Sequence, residues 1–155
     1  MRRLLLAMTL TTLGCGASSD KNDALAQPRC SDDATKTVLA GRWAIRGTGT
    51  REACTEPSTN AKGFSLAADL VATQAPDGTL TLKPEAPPAN SVFDVKTASV
   101  HGSCVTFTLV ETLSAATVST TFTGEVGSSG RVLGTFDVKG PGTCVGKGDF
   151  TLTLQ

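Results

Sequence analysis

The sequence predicts an all-β domain, an antiparallel up-and-down β-barrel of eight strands, with a small β-sandwich as the alternative. Three observations support this fold class. Beyond residue 36 apolar and polar residues alternate with a period of two, without a sustained helical period. Gly, Pro and Asp separate the alternating runs, and no connection leaves room for a crossover helix. One phenylalanine recurs in each of the last five predicted strands.

The alternation and the turn residues together place the strands. Trp43, Ile45 and Gly47 share one face of the first strand, while Gly47-Thr48-Gly49 predicts local flexibility or a bulge. Pro76-Asp77-Gly78 forms a turn, and Pro84 ends the short third strand, since proline cannot donate to a ladder. The predicted strands cover residues 41–51, 63–73, 79–83, 91–100, 104–112, 117–126, 131–139 and 143–154.

The regular spacing of the phenylalanines predicts a belt of rings inside the barrel. Consecutive members are 14, 15, 14 and 14 residues apart, so a meander of constant strand length puts them at one height. They either line an apolar pocket for a small hydrophobic ligand or fill the barrel, and filling is the favoured interpretation. The five residues are Phe93, Phe107, Phe122, Phe136 and Phe150.

The N-terminus carries an export signal. Arg2 and Arg3 precede an apolar run over residues 4–13, which is too short to span a membrane. The ending, Gly14-Cys15, resembles the lipobox of bacterial lipoproteins. That resemblance implies cleavage before Cys15, attachment of diacylglycerol and fatty acyl chains such as palmitate there, and a membrane-anchored place in the cell envelope. If the cell is Gram-negative, Gly16 resembles the signal for outer-membrane sorting.

The chain then divides into a signal peptide over residues 1–14, a flexible tether over 15–36 and a barrel domain over 37–155. Residues 16–36 are small, polar or charged, which is typical of a tether. An alternative cleavage site follows Ala24-Leu25-Ala26, and cleavage there would make the protein secreted and soluble.

Cysteine arithmetic supports export. The chain has five cysteines, and lipidation of Cys15 leaves an even set for two disulfides in an oxidising compartment. Six strands separate Cys54 from Cys144, so both lie at one end of the barrel, where closure makes the first and eighth strands neighbours. The favoured pairing is therefore Cys54–Cys144 with Cys30–Cys104. The rival pairing, Cys30–Cys54 with Cys104–Cys144, stays open.

Composition disfavours several classes of function. The 14 basic and 14 acidic residues are scattered, so no basic stripe suggests a nucleic acid partner. No Cys-x-x-Cys pair accompanies the sole histidine, His101, and neither a metal nor a cofactor is predicted. His101 sits in a Gly-Ser turn, and the sequence pattern does not point to a Ser-His-Asp arrangement, so we predict no catalytic residues and no enzyme.

Residues 39–45 contain Gly41-Arg42-Trp43, which resembles the opening of calycin barrels, a group that includes the lipocalins. In that group the Trp closes one barrel end. The same opening resembles small bacterial barrels that inhibit secreted metalloproteases. The expectation is a non-catalytic, lipid-anchored barrel that binds a small hydrophobic ligand through Trp43 and the five phenylalanines. The alternatives are a protein-binding barrel such as a protease inhibitor, or a structural envelope protein with a filled barrel.

Overall fold

A computed structural model describes residues 30, 38–54, 60–77, 79–86, 91–113, 116–127, 129–140 and 144–155. Within these ranges the chain forms eight antiparallel strands and no helix, which confirms the predicted fold class. Cys15, the predicted signal peptide and all of the predicted tether except Cys30 lie outside them. The strands are β1 (Gly41–Glu52), β2 (Gly63–Gln74), β3 (Leu80–Pro84), β4 (Ser91–His101), β5 (Cys104–Leu113), β6 (Ala116–Val126), β7 (Arg131–Lys139) and β8 (Val145–Leu154).

The strands form one sheet that curls into a nearly closed barrel. Their order is β3-β2-β1-β8-β7-β6-β5-β4, so β1 pairs with both β2 and β8, as barrel closure requires. The two outermost strands, β3 and β4, approach each other, but no ladder joins them in the described part of the chain. We call this opening the β3–β4 seam. β3 has only five residues and ends at Pro84, so it has few groups with which to pair.

The barrel has two ends, each defined here by one residue. The Trp43 end contains the start of β1 and the β4–β5 turn, while the Cys54 end contains the start of β8. Trp43 is 1 % exposed, and its Nε1 donates a hydrogen bond to the Leu39 carbonyl at 2.8 Å. The Leu39 amide in turn donates to Gln74 Oε1 at 2.9 Å. Trp43 is therefore an integral part of the core at this end.

Four of the five expected phenylalanines lie together next to Trp43. Phe107 pairs in register with Phe122, and Phe122 with Phe136. The rings of Phe107 and Phe122 stack with centroids 4.7 Å apart, and Phe150 meets Phe122 edge-on at 5.1 Å. We call Phe107, Phe122, Phe136 and Phe150 the Phe cluster.

Phe93 corrects the expectation of a five-membered belt. Its partner on β5 is Glu111, whereas the β4 partner of Phe107 is Ala98. The β4–β5 turn at residues 102–103 lies far from Phe93 but close to Phe107, so equal sequence spacing gives unequal heights. A register shift between Val95 and Thr97 displaces the strand further.

The two disulfides lie at opposite ends of the barrel. Cys30 is bonded to Cys104 at the Trp43 end, with Cα atoms 5.1 Å apart, and Cys54 is bonded to Cys144 at the other end. This is the pairing that strand parity favours, and the rival connectivity is not the one in the structure. The reason is geometric, because each strand carries the chain to the opposite end of the barrel.

The described residues of the β2–β3 connection form the hydrogen bonds of a turn, as Pro76 and Asp77 predict. The Ala75 amide donates to the Thr79 carbonyl at 2.9 Å, and the Thr79 amide donates to Asp77 Oδ1 at 2.9 Å. The hydrogen bond from the Thr79 backbone lowers the pKa of Asp77 below its usual value, since it favours the ionised carboxylate. Gly78 lies outside the described residues.

Candidate ligand-binding cavity

A cavity of about 400 Å³ lies at the Cys54 end of the barrel. Its volume is at the lower end of the range for small-molecule sites, roughly 300–1,000 Å³. Strand alternation explains most of its walls, because the lining side chains of β2, β6 and β7 share the parity of buried residues further along the same strands. The lining residues are Arg51, Phe64, Leu66, Glu111, Val118, Thr120, Val138, Gly140, Cys144, Val145 and Gly146.

The cavity exists because inward-facing side chains are smaller here than at the Trp43 end. The inward positions of β6 and β7 change from Phe122 and Phe136 to Thr120 and Val138. β8 contributes Gly146, where an added Cβ would lie 2.9 Å from the Phe64 ring. The Phe cluster therefore fills one half of the barrel, and smaller residues leave space in the other half.

Phe64 connects the filled half to the cavity. Its ring meets Phe136 edge-on, with centroids 5.8 Å apart, while Phe64 also lines the cavity. The guanidinium carbon of Arg51 lies 5.9 Å from the centroid of the same ring, within the range of a cation–π interaction. The Phe64 ring therefore contacts Phe136 of the core and the guanidinium of Arg51.

Three polar side chains accompany the apolar walls. Glu111 of β5 is half-buried, and its register partners are Phe93 on β4 and Val118 on β6. Thr120 contributes a hydroxyl from β6, and Arg51 an exposed guanidinium from β1. Few polar groups among apolar walls are typical of a site that orients a small ligand.

Backbone contacts and a disulfide hold the rim of the cavity. The Ala61 amide donates to the Arg51 carbonyl at 2.7 Å, and the Arg51 amide donates to the Lys62 carbonyl at 3.2 Å. The Cys54–Cys144 disulfide ties the β1–β2 connection to the β7–β8 connection. Residues 55–59 and 141–143 of these connections lie outside the described residues.

The six ligand-binding residues expected from the sequence lie elsewhere. Trp43 and the Phe cluster are all at most 1 % exposed and fill the core, because the inward glycines and close register bring their rings together. Phe93 is half-buried and lines a separate depression of about 390 Å³ at the β3–β4 seam, beside Leu70 and Pro84. None of the six is among the residues that line the cavity.

Sequence reasoning missed Phe64 and Glu111 as cavity residues. Phe64 falls outside the regular spacing that drew attention to the other phenylalanines. Glu111 has the parity of Phe107 and Leu109, so alternation alone puts it on the inner face of β5. A carboxylate at an inward position was the available signal.

His101, the sole histidine, lies away from the cavity. His101 ends β4 at the Trp43 end, at the opposite end of the barrel. In the described ranges, no three His, Cys, Asp or Glu side chains gather as a metal site would require. Nor does any described helix have the length and apolar character to cross a membrane.

Comparison with known proteins adds no relative. Neither a protein-family model, nor a curated protein, nor a solved structure matches the chain. The function is therefore argued from the residues and the geometry of the cavity.

Proposed function

We propose that this protein is a lipid-anchored, non-catalytic binding protein of the bacterial cell envelope, whose barrel takes up a small, largely apolar ligand. The observation that carries the proposal is the cavity at the Cys54 end, with its apolar walls and three polar side chains. The barrel core beyond it is filled, so the chain does not need this space for its own packing.

The nature of the lining supports binding rather than catalysis. Among the described lining residues Glu111 is the one carboxylate, and the cysteine on the rim is held in a disulfide. General acid–base or nucleophilic chemistry commonly pairs a reactive group with a base that orients or activates it. The described lining offers apolar area and anchoring groups, which suit retention of a ligand.

The N-terminal sequence supports a location in the cell envelope. Cys15 would carry the lipid, and the tether would hold the barrel close to the membrane, at the outer membrane if the cell is Gram-negative. Two disulfides fit a compartment outside the reducing cytoplasm.

The test is binding of N-phenyl-1-naphthylamine, a neutral dye whose fluorescence rises in apolar surroundings, to the exported Cys15→Ser form. We expect saturable binding to the unchanged barrel. Val118→Trp fills the cavity from β6 and is expected to weaken binding at least about tenfold, because the indole takes the space of the dye. Val110→Trp makes the same change on the outer face of β5, opposite Ser119, and should leave binding unchanged.

Far-ultraviolet circular dichroism and the mass of the two-disulfide form establish that both variants are folded. Equal binding by the two tryptophan variants would place the dye outside the cavity and contradict the proposal. Absence of saturable binding to the unchanged protein would contradict it as well.

A further inference from the structure

Glu111 places a carboxylate on a strand face whose other inward residues are apolar. On β5 the inward residues Val105, Phe107 and Leu109 are all buried and apolar, and Glu111 is the next residue with the same parity. A carboxylate costs free energy when it leaves water unless a partner compensates it. An apolar side chain at this position would continue the wall without that cost.

Among the residues that the structure describes, no ion pair involves this carboxylate. The ion pairs of the described residues join Arg42 to Glu85, Arg46 to Asp69, Lys96 to Asp94 and Lys147 to Glu52. None of them includes Glu111. Arg51, the other charged side chain of the lining, directs its guanidinium over the Phe64 ring.

We infer that the ligand carries a protonated amine at one end of an apolar body, and that Glu111 binds this amine. The inference rests on the proposed function and names its ligand class. An ionised carboxylate accepts hydrogen bonds and donates none, so a cationic donor is its complement. The Thr120 hydroxyl offers a further acceptor on the neighbouring strand.

The same lining disfavours an anionic ligand. A ligand carboxylate inside the cavity would lie close to the carboxylate of Glu111, and two like charges at short range repel each other. Arg51 is exposed at the rim, where water screens its charge. The less exposed charge, Glu111, therefore determines the sign of the preferred head group.

The experiment compares three ligands that share an octyl chain and differ in head group: octylammonium, octanol and octanoate. Each displaces N-phenyl-1-naphthylamine from the Cys15→Ser protein at neutral pH, where the amine is protonated and the acid ionised. We expect octylammonium to displace the dye at about tenfold lower concentration than octanol, with octanoate the weakest.

Two variants test whether Glu111 is the residue that causes the head-group preference. Glu111→Gln keeps the shape of the side chain and removes its charge, and is expected to bring the ratio of octylammonium to octanol close to one. Glu52→Gln removes a negative charge from the same end of the barrel without touching the lining, and should keep the ratio.

The outcomes separate the head-group inference from the proposed function. Equal displacement by octylammonium and octanol, with the dye still bound, overturns the inference and leaves the proposed function standing. Strongest displacement by octanoate overturns it in favour of Arg51. Failure of the dye to bind the unchanged protein removes the proposed function itself. The comparison in the unchanged protein decides the inference even if Glu111→Gln does not fold.

Discussion

At the residue scale, Phe150 and Phe136 lie in space that inward-facing glycines leave free. Gly124 and Gly134 are partners across β6 and β7, and the Phe150 ring lies beside both. An added Cβ on Gly148 would lie 2.7 Å from Phe136. Glycine inside a strand is costly by itself, but here its missing side chain lets a ring and a neighbouring backbone approach closely.

Gly47 and Gly49 correct an expectation from the sequence. Gly47-Thr48-Gly49 predicts local flexibility or a bulge, and the bulge is not found, because the ladders of β1 with β2 and β8 pass through these residues without a register shift. The Phe136 ring lies 3.0 Å from the position of a Gly47 Cβ and 2.9 Å from that of a Gly49 Cβ. These glycines accommodate a ring, and the strand remains regular.

Gly134→Ala is expected to destabilise the barrel by about 3 kcal/mol, the upper end for overpacking a core. The new Cβ would lie 2.8 Å from the Phe150 ring and closer still to the backbone of Thr123 and Gly124. Guanidinium unfolding followed by tryptophan fluorescence measures the change, because Trp43 is buried in the same core.

Gly127→Ala is the matched control for this prediction. A Cβ there would meet the Arg131 carbonyl oxygen at 3.5 Å, an ordinary contact, so stability should change by less than about 1 kcal/mol. Equal effects of the two substitutions would mean that the rings do not depend on the missing side chain.

At the element scale, the β3–β4 seam is where the barrel is weakest. Within the described part of the chain, β3 is paired only with β2, and β4 only with β5. β4 carries Asp94 and Lys96, which form an ion pair, and its register shifts beside them. A hydrogen bond from Lys96 and the charge of Lys96 lower the pKa of Asp94, so this carboxylate stays ionised to a lower pH than an isolated aspartate. Charges and a bulge discourage other chains from pairing with an open edge.

The rate of amide hydrogen exchange in each strand is expected to depend on whether the strand is paired on one side or on both. Amides of β8 should exchange most slowly, because β8 has ladders on both sides, and those of β3 fastest among the strands. Exchange measured by NMR or mass spectrometry gives the order. Protection of β3 equal to that of β8 would indicate a hydrogen-bonded seam and a fully closed barrel, contrary to the arrangement described here.

At the scale of the whole molecule, the disulfides tie together distant parts of the chain. They join residues 74 and 90 positions apart, one at each end of the barrel. By the loop-closure model, links of this length each stabilise the fold by about 4–5 kcal/mol. Cys30–Cys104 also joins Cys30, which belongs to the predicted tether, to the barrel.

We predict that Cys15 is lipidated in the cell. We expect the exported protein in the membrane fraction, with an intact mass that lacks residues 1–14 and includes a diacylglyceryl group. Cys15→Ser removes the attachment sulfur and should make the protein soluble. Fractionation followed by intact-mass measurement gives both results.

A soluble mature chain that begins at Gln27 would contradict the anchor and favour cleavage after Ala26. That result would leave the barrel and its cavity unchanged, since both lie beyond the tether.

Local patterns in the sequence are sufficient to predict the eight strands, the antiparallel barrel and the preferred disulfide pairing. The observed ends of the strands lie within two residues of the predicted ones. These features depend on local patterns: alternation with a period of two, and turn residues such as Pro76 and Asp77 that act on their own neighbours.

The contacts between inward-facing residues depend instead on how the strands pair in three dimensions. Phe93 has the spacing of the belt but lies opposite Glu111, and Phe64 lacks the spacing but contacts Phe136. Register, the bulge in β4 and the glycine pairs set these contacts across strands that are far apart in sequence. The cavity is the space that such contacts leave between strands. Its position therefore depends on all of these contacts together, and a local pattern of residues does not predict it.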